Sequence, residues 1–222
     1  MTSTRPALAV APAARIPLFD LQRQRARLER DIRRRMDAVL AHGQFILGPE
    51  VEQLEQRLAA YSGVGHAIAV SSGRDALTMA LMAMGVTSGD AVFVPAFTFA
   101  ASAGAVVSAG ATPVFVDVHA DTFNMDAADL DRAIAETTAA GKLTPRVVMP
   151  VDLYGLPADY AAINAIAGRH GLMVLADAAQ SYGGSFGNAR VGALATVSAT
   201  SYYPTKPLGC YGDGGAILAR SE

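Results

Sequence analysis

The sequence predicts an α/β fold, a mainly parallel mixed sheet covered by helices on both faces in three layers. Three observations predict it. From residue 67 to residue 175 short apolar runs alternate with stretches of helical periodicity, the pattern of strands joined by helical crossovers. Of the 222 residues 51% are apolar and 17% charged, which suffices for one large core and excludes a disordered or low-complexity chain. No uninterrupted apolar run reaches the ~18 residues a membrane span needs, so the apolar excess belongs to a packed interior.

Taken in order, the first 15 residues, MTSTRPALAVAPAAR, hold Arg5 and an Ala/Val stretch broken by Pro6 and Pro12. That fits neither a continuous secretory core nor a transit peptide rich in Arg and Ser, so residues 1–16 read as a disordered tail and the compartment as the cytoplasm. Over 20–40, Leu21, Leu28, Ile32, Met36, Val39 and Leu40 recur at helical spacing. The arginines between them, Arg23 to Arg35, read as a solvated face. A second helix opens after Gly48 with Pro49, which suits a first turn, and stops near Gly63.

Strand and helix then alternate: 67–70 and 75–84, 91–94 and 100–109, 114–118 and 127–134, 146–151 and 160–170, with a further strand at 172–175. The last third differs. Strands at 197–203 and 216–219 are separated by the turn-rich PTKPLGCYGDGG, with no long helix between them. No internal repeat and no linker divides 17–222, which reads as one domain.

Charge and cysteine content narrow the function. Eighteen basic residues against 20 acidic leave −2, without the footprint of a nucleic-acid binder. Cys210 stands alone, so neither an internal disulfide nor a cysteine zinc site is available. Asp117, Asp121 and Asp126 lack a calcium-loop pattern and read as turn and cap residues. No metal is expected.

In an open α/β sheet, chemistry gathers at the carboxyl ends of strands. Four segments lie there. Residues 71–77 (SSGRDAL) follow a strand and open a helix, where free N–H groups and the helix dipole make a phosphate seat and Gly73 permits close approach. Taken alone, the same segment reads more readily as a helix cap without a ligand. Residues 175–180 (LADAAQ) end an apolar strand on Asp177, a carboxylate that is costly there unless a cation pairs with it.

Residues 201–209 (SYYPTKPLG) carry Lys206, one of only two lysines beside 16 arginines. Lysine can lose its proton and form an imine where arginine cannot, although an ordinary surface lysine is the alternative. Residues 95–99 (PAFTF) put a ring just past a strand, to stack on a flat ligand or to pack in the core. Together the four segments call for one ligand with a phosphate, a cationic ring nitrogen, an aromatic face and a carbonyl. Pyridoxal 5′-phosphate has all four.

From Pro17 onward the chain resembles the DegT/DnrJ/EryC1/StrS family of sugar aminotransferases, PLP-dependent enzymes of the aspartate-aminotransferase fold type. The resemblance rests on GQFILGPEVEQLEQRLAAYSGVGHAIAVSSGRDAL, PAFTFAASA, TPVFVDVHADTFNMD, LYGLPADY, LADAAQSYGG and YYPTKPLGCYGDGGAI, in that order. It implies that Lys206 is the Schiff-base lysine and that Asp177 pairs with the pyridine nitrogen. Gln180 would lie beside the cofactor and Phe99 stack on it, with Gly73, Arg74 and Ser201 holding the phosphate. It further implies glutamate as amino donor, a nucleotide-linked keto-sugar as acceptor, and a homodimer with its sites at the interface.

Four positions depart from the family pattern: Arg74 stands where threonine is usual, Asp152 and Tyr182 where histidine is common, and Pro207 where asparagine is frequent. Relatives also continue through a small C-terminal domain that this sequence lacks, so 17–222 reads as the large domain alone. A sugar dehydratase of the same family would carry histidine in place of Lys206. The remaining alternative is a truncated, catalytically inactive remnant that binds cofactor or dimerises.

Overall fold

The computed structural model describes residues 16–220. The expected tail over 1–16 therefore lies, but for Ile16, outside the described residues. The chain divides into two units, one ending at Phe45 and one beginning at Ile46, and each is described by itself.

In the first unit α1 (Gln22–His42) buries none of its residues. Glu29 bridges Arg25 and Arg33, one turn away on either side, as the charge pattern predicts for a solvated face. Gly43 ends the helix in the left-handed conformation.

The second unit opens with α2 (Pro49–Ser62), with its proline in the first turn and Gly63 as left-handed cap. Then follow β1 (His66–Val70), α3 (Gly73–Ala83), β2 (Asp90–Pro95), α4 (Ala101–Ser108), β3 (Thr112–Val116) and α5 (Ala127–Ala140). Next come β4 (Thr144–Val148), a single 3-10 turn Leu153–Gly155, α6 (Tyr160–His170) and β5 (Met173–Asp177). A short hairpin, β6 (Ser185–Phe186) and β7 (Ala189–Arg190), precedes β8 (Val197–Ser201) and β9 (Gly215–Ala219). Side-chain oxygens start three of the helices: Ser72, Asp126 and Asp159 accept first-turn N–H groups of α3, α5 and α6.

Seven strands form one sheet in the order β1-β9-β8-β5-β4-β2-β3. Only β9 runs against the others, paired antiparallel with both β1 and β8. A parallel return from β8 would need a crossover, and the connection to β9 holds no helix, so it turns straight back. The carboxyl ends of β1, β2, β5 and β8 consequently share one edge of the sheet.

Two cores lie on the two faces, sorted by the period-two alternation of each strand. Phe93, Val148, Val174 and Ala176 pack with Leu130, Ile134 and Ile163 of α5 and α6. Their neighbours Val92, Val94, Val147 and Leu175 pack with Leu77, Leu81 and Val106 of α3 and α4. Full burial of one such side chain is worth about 1.5–3 kcal/mol. A third, smaller cluster seats Leu58 of α2 on Ala67, Ala216 and Leu218. No helix among the described residues is long and apolar enough to cross a membrane.

Candidate functional site

The alternation that builds the core also aims the site. In β5, Met173 and Leu175 face α3 and α4, so Asp177, two residues on, falls on the same face. In β8, Val197 and Ala199 face that way, and Ser201 follows them. Both side chains thus emerge at the carboxyl edge on the side of α3 and α4.

Asp177 is buried and its carboxylate is not idle. Oδ2 accepts from Ser102 Oγ of α4 at 2.8 Å and Oδ1 from the Ala179 N–H at 3.3 Å. Thr98 Oγ1 lies 3.1 Å from Ser102 Oγ and extends the chain of hydroxyls. Burial pushes the Asp177 carboxyl above its usual range, opposed by the Ser102 and Ala179 bonds and by the charge of Lys206. A cation set against Asp177 would relieve that burial cost.

The opening of α3 lies across the end of β8. Ser72 Oγ accepts the Asp75 N–H at 3.0 Å, which leaves the Gly73 and Arg74 N–H groups without an intrahelical acceptor. A Cβ on Gly73 would stand 2.5 Å from Ser201 Cβ, so only glycine lets the helix start this close to the strand. The Arg74 guanidinium turns aside to Ser108 Oγ on α4 at 2.8 Å. What Arg74 offers at the helix start is its backbone.

Lys206 sits in the turn after β8, where its N–H donates to Tyr203 O at 2.8 Å. Among the described residues no hydrogen bond or ion pair engages its Nζ. Gln180 Oε1 accepts the Tyr154 N–H at 2.7 Å, which fixes that amide. Phe99 is 71% exposed, so its ring is free to cover a ligand.

One cavity of about 500 Å3 joins these groups. Gly73, Arg74, Phe99, Asp177, Gln180, Ser201 and Lys206 all contribute to its wall, although they come from four separate segments of the chain. Sequence reasoning passed over Val151, Tyr203, Thr205 and Asp213, which also line it, and Ser102, which holds Asp177. Tyr203 and Thr205 lay inside a segment already singled out. Ser102 had only the weak signal of one of two serines in a short apolar helix. Asp126 caps α5 through Ala128 and Asp129, and no cluster of metal-ligating side chains occurs among the described residues.

Free donors at a helix start, a buried carboxylate in need of a cation, an unengaged amine and an open ring define a cofactor-binding α/β domain of the PLP-dependent transferase type. The chain belongs to the DegT/DnrJ/EryC1/StrS aminotransferase family, whose model matches residues 26–222. It is 47% identical over 207 residues to the UDP-2-acetamido-2-deoxy-3-oxo-D-glucuronate aminotransferase of Pseudomonas aeruginosa, covering 93% of this chain and 56% of that protein. A family aminotransferase from Brucella abortus superposes with a TM-score of 0.91 at 51% identity, covering 93% of this chain and 56% of its own. NtdA from Bacillus subtilis, solved with bound cofactor PMP, superposes with a TM-score of 0.86 at 33% identity, covering 96% and 46%. The chain spans about half the length of the curated relatives it matches.

Proposed function

We propose that this chain holds pyridoxal 5′-phosphate and carries the catalytic groups of an aminotransferase that moves an amino group from an amino acid, glutamate, to a nucleotide-linked keto-sugar. The observation that carries this reading is the convergence of Lys206, Asp177 and the start of α3 on one cavity. The P. aeruginosa relative, named for a UDP-linked keto-sugar, supports the acceptor class.

The donor set suits the cofactor. Gly73 and Arg74 N–H, with Ser201 Oγ, would hold the phosphate at the positive end of α3. Asp177 would face the ring nitrogen, its buried negative charge keeping that nitrogen protonated and its own cost of burial relieved by the new cation. Phe99 would cover one face of the ring, and Gln180 would border it. When bound, the cofactor supplies an aldehyde that condenses with amines and a pyridinium ring that takes up electrons released at carbon. Lys206 is, among the described residues, the one amine in the cavity wall, the group that can attach the aldehyde covalently and, once free, take and return a proton at Nζ.

A homodimer with cytoplasmic residence completes the reading, the exposed Phe99 and the open cavity mouth being what a second copy would help close. The test is chemical. The chain is incubated with pyridoxal 5′-phosphate, reduced with borohydride and digested, and the labelled peptide is sequenced. Label on Lys206 is expected, and a label that persists in Lys206→Ala overturns the assignment. Added glutamate should then convert the aldehyde form to the amine form. Colour without that conversion favours a chain that binds cofactor without turnover.

A further inference from the structure

Behind the cavity lies a second buried carboxyl that the chemistry above does not use. Asp152 is 0% exposed and takes no part in the cavity wall. Three donors converge on it: Tyr160 Oη at 2.8 Å and the Ala158 N–H at 3.0 Å on Oδ1, and Ser181 Oγ at 2.7 Å on Oδ2. They belong to the first turn of α6, the loop before it and the segment leaving β5. Tyr160 and Ala158 are part of the core under α5 and α6, so Asp152 lies on the opposite side of the sheet edge from the Asp177 carboxyl.

The backbones are tied as well. Asp152 N–H donates to Asp177 O at 3.1 Å, and Asp177 N–H donates to Pro150 O at 2.9 Å. The turn after Asp152 presses on Gln180. Tyr154 holds φ 56°, a left-handed conformation that non-glycine residues keep only under constraint, and its N–H donates to Gln180 Oε1. At Gly155 (φ 87°) a Cβ would stand 3.2 Å from Gln180 O. Asp152 O accepts the Gly155 N–H at 3.2 Å and closes this turn.

A buried carboxyl is costly, and this one meets three donors, Ala158 and Tyr160 from before β5 and Ser181 from just after Gln180. We propose that Asp152 is a positioning residue: by gathering Tyr160, Ala158 and Ser181 around one carboxyl, it fixes the segment leaving β5 and the direction in which Asp177 and Gln180 face the cavity. What that direction serves rests on the cofactor reading above.

Two variants separate the carboxyl's geometry from mere presence. Asp152→Ala removes the acceptor and strands three donors. Asp152→Asn keeps Oδ1 for Tyr160 and Ala158, and the Ser181 hydroxyl can turn to accept from Nδ2. Amide hydrogen exchange is read over 178–184 in the full chain without cofactor, and pyridoxal 5′-phosphate is titrated by absorbance. Asp152→Ala should speed exchange over 178–184 and weaken cofactor binding, each about tenfold or more, one stranded buried donor setting the lower bound. Asp152→Asn should restore both to within about threefold, while β2 and β4 amides exchange as in the wild type throughout.

The proposal is overturned if Asp152→Ala leaves 178–184 protected as before, or if Asp152→Asn behaves like Asp152→Ala. Should Asp152→Ala fail to fold, Ser181→Ala decides: faster exchange over 178–184 supports the clamp, unchanged exchange refutes it. A wild-type chain that takes up no pyridoxal 5′-phosphate removes the cofactor reading instead, and the exchange measurement still judges Asp152.

Discussion

Gly73 is the position where one methyl group should do the most damage. Its absent Cβ would fall 2.5 Å from Ser201 Cβ and 3.1 Å from Ser201 Cα, against the ~3.5–4.0 Å of an ordinary carbon contact. Gly73→Ala therefore needs α3 and the end of β8 to part by about 1 Å, and Ser201 cannot retreat because its backbone pairs with Gly215. Overpacking of this kind costs about 1–3 kcal/mol. The same movement draws the Gly73 and Arg74 N–H groups away from any phosphate at the helix start, where loss of one charge-assisted bond is worth about 1.5–3 kcal/mol, tenfold or more in affinity.

Urea unfolding and a pyridoxal 5′-phosphate titration measure the two effects. Gly104→Ala is the control, since a Cβ there meets nothing nearer than the Arg74 guanidinium at 3.8 Å. That variant should gain up to about 1 kcal/mol of helix propensity. A Gly73→Ala chain as stable as the wild type, with the same cofactor affinity, would refute the close-approach argument.

Other outcomes follow from the same geometry. Ser102→Ala strips the 2.8 Å donor from the buried Asp177 and should lower stability at pH 7 by about 1–3 kcal/mol in urea, where no change would refute the hydroxyl's role. Lys206→Arg keeps a cation in the turn but not an amine that condenses, so borohydride should leave no label at that position. Burial pushes Asp152 up from 3.8 to about 6. The native chain thus holds a proton that the unfolded chain has already released, and the wild type loses stability as pH rises through that window. Asp152→Asn cannot ionise, so its stability relative to the wild type should rise by a few kcal/mol at most between those limits and stay level above them. A wild-type-minus-variant difference that is the same at pH 4.5 and pH 7 would contradict this.

Much of the fold was legible because strands and helices here carry their own punctuation. Gly63 and Gly171 stop α2 and α6 in left-handed caps, and the strand positions follow from short apolar runs, whereas the helix expected over 127–134 runs on to Ala140, where Gly141 caps it. The shifts have local causes. The strand expected at 114–118 is observed as Thr112–Val116, because β3 is an edge strand and tolerates Pro113, which has no N–H to donate. The strand expected at 197–203 stops at Ser201, since the chain must turn through Pro204 and close the Tyr203–Lys206 bond. The hairpin of β6 and β7 went unseen, as two residues per strand carry no period.

The site divides along a physical line. Residues whose chemistry is unusual for their surroundings were visible singly: an acid ending an apolar strand, a lysine in a chain that favours arginine, a glycine after two serines at a helix start. Their convergence follows from register. Asp177 and Ser201 share a face because each stands an even number of residues beyond core positions on parallel, paired strands, Asp177 opposite Ala199. A slip of one residue in β5 would send Asp177 to the side of α5 and α6, where Asp152 already occupies the buried donors. Asp152 itself was visible only as a departure, because its partners Tyr160 and Ser181 lie 8 and 29 residues away and nothing local marks them. Side chains that bind are thus readable by type. Those that aim them are readable only once the sheet has brought distant turns together.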